Sequence, residues 1–289
     1  GMIEDTIDTI ESIYKQEGDA SGLSTGFKAL DKLLSGLHKG NLIVVAGRPA
    51  MGKTAFGLNI AQYLGIEKNI PVGIFSLEMS ARELLMRILC TEAQVDMKRV
   101  RDGYIGSGEW AALTTAAGKI KESRIFIDDS PTVTILEMKA RARRLKARYP
   151  DLGLILVDYI QLMPGKSGDS ESRQQEISYV SRNLKILAKE IDVPVIAMSQ
   201  LSRAPEKRSG DARPRLSDLR ESGAIEQDAD VVLFLFRPSY YKTPEELTPE
   251  YNIAEVIVGK QRSGPTGTVK MVFMKEYTRF ADLSPRQEA

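Results

Sequence analysis

One octapeptide constrains this chain more than any other feature: Gly47-Arg48-Pro49-Ala50-Met51-Gly52-Lys53-Thr54. An uninterrupted apolar run, Leu42-Ile43-Val44-Val45-Ala46, precedes it, and residues 54–63 after it have helical character. A buried strand, a glycine-bearing turn and a helix opening on Lys-Thr form the phosphate-binding loop pattern in full. The glycines let the backbone curl so that successive N–H groups point inward, and the helix adds its positive N-terminal end. A strand that is apolar on both faces belongs inside a parallel sheet covered on both sides.

The remaining apolar runs supply that sheet. Residues 71–76, 124–127, 154–157, 194–198 and 231–236 read as strands, with helical segments at 54–63, 81–90, 135–148 and 175–190 among them. Strands alternating with helices predict an α/β fold with a mainly parallel sheet flanked by helices. The last runs, 254–258, 269–273 and 278–281, follow one another without helices, so that edge is expected to be antiparallel.

Composition excludes several classes of chemistry. With 289 residues, 42% of them hydrophobic, the chain can bury a core without a disulfide or metal staple. Cys90 is its only cysteine, so no intrachain disulfide exists and a reducing cytoplasm fits. His38 is its only histidine and sits in the turn-like Gly36-Leu37-His38-Lys39-Gly40, which argues against histidine metal sites and a histidine base. Forty Lys and Arg balance 39 Asp and Glu, so nucleic-acid contact has to come from local patches. No apolar run approaches the ~20 residues of a membrane helix, and Glu4, Asp5 and Asp8 are the wrong sign for a signal peptide. Ile3, Ile7, Ile10 and Ile13 fall at helical spacing before the break Glu17-Gly18-Asp19-Ala20-Ser21-Gly22. The expected organisation is a short helix over 2–16, a linker over 17–24, one large domain over 25–283 and a tail over 284–289. The apolar stripe of the first helix has to bury against its own domain or against a neighbouring subunit. Gly1 ahead of Met2 reads as the remnant of a cleaved tag.

Within the loop, the backbone of Gly47, Arg48, Pro49, Ala50, Met51 and Gly52 would cradle phosphates. Lys53 would reach the β- and γ-phosphates of ATP, and the Thr54 hydroxyl would ligate Mg²⁺. Asp158 ends the run 154–157, the expected place for the acid on the metal side. Glu78 follows the strand 71–76 and is expected to polarise the attacking water; capping the next helix is its other reading, but Ser80 is the better cap. Gln200 ends another strand, as a sensor of the γ-phosphate or as a plain strand-end amide. Lys260 and Arg262 lie two residues apart and so share a strand face. They either hold a phosphate between them, in the manner of an arginine finger, or form a solvated strand end. The basic helix 135–148 reads as a solvated face, and the basic segment 203–220 as a loop suited to tracking a nucleic-acid backbone.

These motifs resemble the C-terminal domain of the DnaB-type replicative helicases from about Ile3 to Leu283. The octapeptide, Phe75-Ser76-Leu77-Glu78-Met79-Ser80, Val157-Asp158-Tyr159-Ile160-Gln161-Leu162 and Ser199-Gln200-Leu201-Ser202-Arg203 are all similar to that family's motifs. More specific are Asp218-Leu219-Arg220-Glu221-Ser222-Gly223-Ala224-Ile225-Glu226-Gln227-Asp228-Ala229-Asp230 and Lys260-Gln261-Arg262-Ser263-Gly264-Pro265-Thr266-Gly267. The resemblance implies a RecA-like fold in a homo-hexameric ring that threads single-stranded DNA and moves 5′–3′ on it with ATP hydrolysis at subunit interfaces. It implies that Lys260 and Arg262 reach the neighbour's ATP site and that Arg220, Glu221 and Gly223 line the DNA channel. The first helix resembles the family's linker helix, which docks on the adjacent subunit. The family's N-terminal, primase-interacting domain is not in this sequence, so primase and a helicase loader are expected partners of a longer protein. Two rival readings stay open: a RecA-like recombination or repair ATPase that switches a DNA-bound filament, and a nucleotide-gated scaffold with little turnover. The first would form filaments on DNA; the second would bind ATP tightly and scarcely hydrolyse it.

Overall fold

A computed structural model describes residues 21–163, 170–202, 212–241 and 252–283. The isoleucine-striped helix, residues 203–211 of the basic segment and the tail 284–289 lie outside the described residues. All nine expected strands are present: β1 Leu42–Gly47, β2 Val72–Ser76, β3 Ile125–Asp128, β4 Leu154–Asp158, β5 Val195–Gln200, β6 Val231–Phe236, β7 Ile253–Gln261, β8 Gly267–Met274 and β9 Arg279–Asp282. They form one sheet in the order β3-β2-β4-β5-β1-β6-β7-β8-β9. The first six are parallel, and β7, β8 and β9 add an antiparallel edge. The closely spaced final runs thus pair as expected, because short connections join only antiparallel neighbours.

Alternate residues of the central strands feed two cores, one on each face. Ile43 and Val45 of β1 enter one, with Phe56, Ile60 and Met198. Leu42, Val44 and Ala46 enter the other, with Leu184, Leu187 and Phe234. The helix after the phosphate-binding loop, Lys53–Gln62, lies so close to the sheet that a Cβ on Gly57 would stand 2.3 Å from Met198 Cε. It runs on into a π-turn at Tyr63–Glu67.

Four helices escaped the sequence reading, among them the six-residue Gly223–Asp228. Lys28–Leu34 is short, and Met97–Asp102 is a six-residue helix capped by Asp96 and ended by Gly103 in a left-handed conformation. Ser107–Glu122 is rich in Ala, Gly and Thr and buries only Leu113 and Ala116, so it carries little apolar periodicity. The basic helix Ile135–Arg148 is largely paired within the domain: Arg141 to Asp128, Arg143 to Glu190, and buried Lys139 to Asn183. Among the described residues no helix is long and apolar enough to cross a membrane.

Candidate active site

Parallel sheets present their carboxyl ends as a rim on which loops gather. Here Gly47 of β1, Ser76 of β2, Asp158 of β4 and Gln200 of β5 all end on that rim, since β2 pairs Ser76 with Asp158 and β1 pairs Gly47 with Gln200. A cleft of about 800 Å³ opens there, lined by Lys53, Thr54, Glu78, Asp158 and Gln200 together with Arg87. With Pro49, Ala50 and Gly52, eight of the residues singled out in the sequence therefore share one space.

The loop leaves β1 with Ala50 at φ 63° and Gly52 at φ 95°. The second of these is where glycine is required, because a left-handed residue must precede the helix. Lys53 Nζ folds back onto Gly47 O at 3.0 Å and Arg48 O at 3.2 Å. Burial pulls its ammonium below the ordinary lysine range, an effect that the carboxylates of Asp158 and Glu78 partly offset. The Thr54 hydroxyl donates to Asp158 Oδ2 at 2.6 Å. Burial pushes the Asp158 carboxyl above the usual carboxylate range; the Thr54 hydrogen bond opposes this and the nearby Glu78 charge adds to it.

Glu78 is exposed and makes no hydrogen bond or ion pair to the described residues. The capping role falls to Ser80, which accepts from Glu83 N and returns a capping box through the Glu83 carboxylate. Glu78 is thus left facing the cleft. Gln200 is held through its backbone: its N–H donates to Gln161 Oε1 at 3.2 Å, and Gln161 Nε2 donates to Gln200 O and to Ser199 Oγ.

Lys260 and Arg262 lie elsewhere. Strand β7 ends beside the start of β6, with Gln261 opposite Val231, and Val231 pairs with Ile43 near the start of β1. Four residue steps along β1 then separate that level from Gly47, about 13 Å at strand rise. The pair therefore sits at the opposite end of the sheet from its own Lys53. A register shift between Val232 and Leu233 leaves Gly259 as a bulge. Beyond it the alternation reverses, which turns Lys260 toward the helix Gly223–Asp228. The two cations do share a side, and their partners among the described residues are backbone carbonyls and Asp230. Lys260 Nζ donates to Ala229 O at 2.8 Å and to Glu226 O, while Arg262 donates to Gln227 O and lies 3.7 Å from Asp230 Oδ1. Burial, and then the charge of Arg262, hold the Lys260 ammonium below its usual range.

Arg220 and Glu221 fall in the 3₁₀ segment Leu216–Ser222, and Gly223 opens the helix Gly223–Asp228. Their side chains lie outside the described residues.

Three cleft cations went unnoticed in the sequence: Arg87, Arg237 and Lys275. Arg87 sits on the helix Ala81–Ala93, on the same side as buried Leu84 and Thr91, and its side chain makes no hydrogen bond or ion pair to the described residues. An arginine within an otherwise buried helical stripe is the signal that would have found it. Arg237 donates to Ala50 O at 3.1 Å and lies 4.3 Å over the Phe273 ring, with burial lowering its pKa.

Comparison with known proteins adds the lineage. A family model described as "DnaB-like helicase C terminal domain" matches residues 22–282. A curated relative, the replicative DNA helicase DnaB of Geobacillus stearothermophilus, is 48% identical over 285 residues, covering 99% of this chain and 62% of the relative. The chain spans about three-fifths of the length of the curated relatives it matches. Among solved structures, the ATPase domain of G40P matches with a TM-score of 0.90 at 38% identity, over 98% of this chain and 99% of that one. A DnaB-like replicative helicase, studied with its interactions with primase, matches with a TM-score of 0.88 at 38% identity, over 97% of this chain and 66% of that one. The RadB recombinase shares the RecA-like fold alone, with a TM-score of 0.54 at 20% identity over 91% of this chain and all of that one.

Proposed function

Because the chain belongs to the family of DnaB-like helicase C-terminal domains, we propose that it is the ATP-hydrolysing motor of a replicative DNA helicase, acting in the cytoplasm as a head-to-tail hexameric ring that moves 5′–3′ on single-stranded DNA. One observation carries this reading. Lys53, Thr54, Asp158 and Glu78, which has no hydrogen-bond or ion-pair partner among the described residues, share one cleft, while the two candidate finger cations lie at the far end of the same sheet. A monomer so built has half a site at each end. Head-to-tail association brings complementary halves together.

In this account the loop N–H groups and Lys53 bind the β- and γ-phosphates of ATP. Thr54 and Asp158 would hold Mg²⁺, and their adjacent hard oxygen atoms suit that ion. When bound, the ion neutralises charge on the triphosphate. Glu78 accepts a proton from the attacking water, and Gln200 faces the γ-phosphate. Arg262 and Lys260 of the adjacent subunit stabilise the charge that develops as the terminal phosphoryl leaves. Arg220, Glu221 and Gly223 would contact the DNA backbone, so that closing and opening of interfaces moves the strand. Primase and a loader are proposed partners of the longer protein, the former supported by the DnaB-like helicase relative described with its interactions with primase.

The recombinase reading is weaker, since the likeness to RadB extends to the fold only. The test is ATP turnover with and without single-stranded DNA, measured alongside mass in solution. Stimulated turnover that rises with assembly is expected. Turnover at full rate by a monomer would overturn the interface site.

A further inference from the structure

We propose that Ser76 is a positioning residue for ATP hydrolysis, which holds Glu78 at the apex of a closed loop. This rests on the reading of Glu78 as the group that activates water. Ser76 is the last residue of β2 and is 1% exposed. Its hydroxyl donates to Met79 O at 2.7 Å and accepts from Met79 N at 3.2 Å. One oxygen atom thus satisfies both backbone groups of Met79 and ties the two ends of Ser76-Leu77-Glu78-Met79 together.

The loop is pinned on both sides of its apex. Leu77 N donates to Asp158 O at 2.7 Å, and the Leu77 side chain is buried in the core on one face of the sheet. Met79 packs against the core on the other face. Ser80 and Glu83 then fix the start of the next helix, whose Ala81 N–H also donates to Asp129 Oδ2 at 2.7 Å. Glu78 and Met79 of this segment both line the cleft, and Glu78, the charged one, makes no hydrogen bond or ion pair to the described residues. A carboxylate with no contact of its own takes its orientation from its backbone, and the Ser76 hydroxyl is what closes that backbone. A general base is effective only within hydrogen-bond reach of its proton, so a loop slackened by a fraction of an ångström costs rate and not affinity.

The test is a double-mutant cycle in the assembled protein, reading ATP kcat, KM and affinity for a non-hydrolysable ATP analogue. Ser76→Ala is expected to lower kcat about tenfold, the scale of a small misplacement of a reacting group, with KM, analogue affinity and melting temperature close to wild type. In the Glu78→Gln background the same substitution is expected to change single-turnover phosphate release by less than about twofold, since residues acting as one unit are non-additive. Equal losses in both backgrounds, or a rise in KM with kcat unchanged, would overturn the proposal. Glu78→Gln by itself separates the two ideas: if it keeps more than roughly a tenth of the wild-type rate, the base reading has failed, and the role of Ser76 falls with it. Should Ser76→Ala unfold the protein, Ser76→Cys keeps the shape with a weaker donor and is expected to lose rate in the same sense; full activity there would count against the proposal.

Discussion

The Thr54 hydroxyl donates a 2.6 Å hydrogen bond to Asp158 Oδ2 across 104 residues of sequence, inside a carboxyl environment that burial makes unfavourable for charge. The folded pKa of Asp158 is raised, so its contribution to stability is present at low pH and lost as pH rises through that raised value. Above that raised value the ionised group therefore opposes folding. Asp158→Asn keeps an acceptor for Thr54 and removes the charge. Its melting temperature without nucleotide is expected to exceed wild type at neutral pH, with the gap closing on acidification, while ATP turnover falls about 10²–10³-fold, the scale of one lost electrostatic contact. Calorimetry across pH, with turnover on the same samples, reads both. A melting temperature below wild type at neutral pH would contradict the assignment.

At the other end of the sheet Asp230 is a structural hub. It is 7% exposed, accepts from Leu42 N at 2.8 Å and meets Lys185 Nζ at 2.5 Å, with Arg262 close by. Asp230→Ala leaves Lys185 with Gly40 O as its remaining partner among the described residues. The expected loss is about 3 kcal/mol, as for breaking one partner out of a buried pair, read by urea denaturation. A loss under about 1 kcal/mol would place this pair with exposed ones.

Arg220→Ala is expected to weaken single-stranded DNA binding about equally for all sequences and to lower the salt slope by about one unit. Titrations at several salt concentrations read the slope, and the defect should shrink as salt rises. A change confined to particular sequences would mean a base contact instead.

Much of this was legible in the sequence because it is local. Lys53, Thr54 and the loop glycines are contiguous, and Asp158, Glu78 and Gln200 each close or follow an apolar run, so a parallel sheet gathers them at one rim. What was not legible depends on pairing. The bulge at Gly259, which sets the side on which Lys260 projects, exists only in the register between β6 and β7. The loop closed by Ser76 depends on a hydroxyl meeting both backbone groups of a residue three positions on, which spacing alone does not distinguish from a strand-end serine. Arg87 reaches the cleft only because its helix returns alongside the helix Lys53–Gln62, a tertiary fact.

An active site shared between subunits is tested most directly by mixing two inactive proteins, Lys53→Ala and Arg262→Ala, in equal amounts at concentrations where subunits associate. Within one chain, Arg262 lies at the end of the sheet remote from Lys53. If the finger serves its own subunit, every site carries a lesion. If it serves a neighbour, about a quarter of randomly assembled head-to-tail interfaces pair an intact Lys53 with an intact Arg262. Partial return of ATP hydrolysis, toward about a quarter of the wild-type rate, is the expected result. Hydrolysis that stays at the level of the separate mutants, in mixtures whose mass confirms co-assembly, would contradict it.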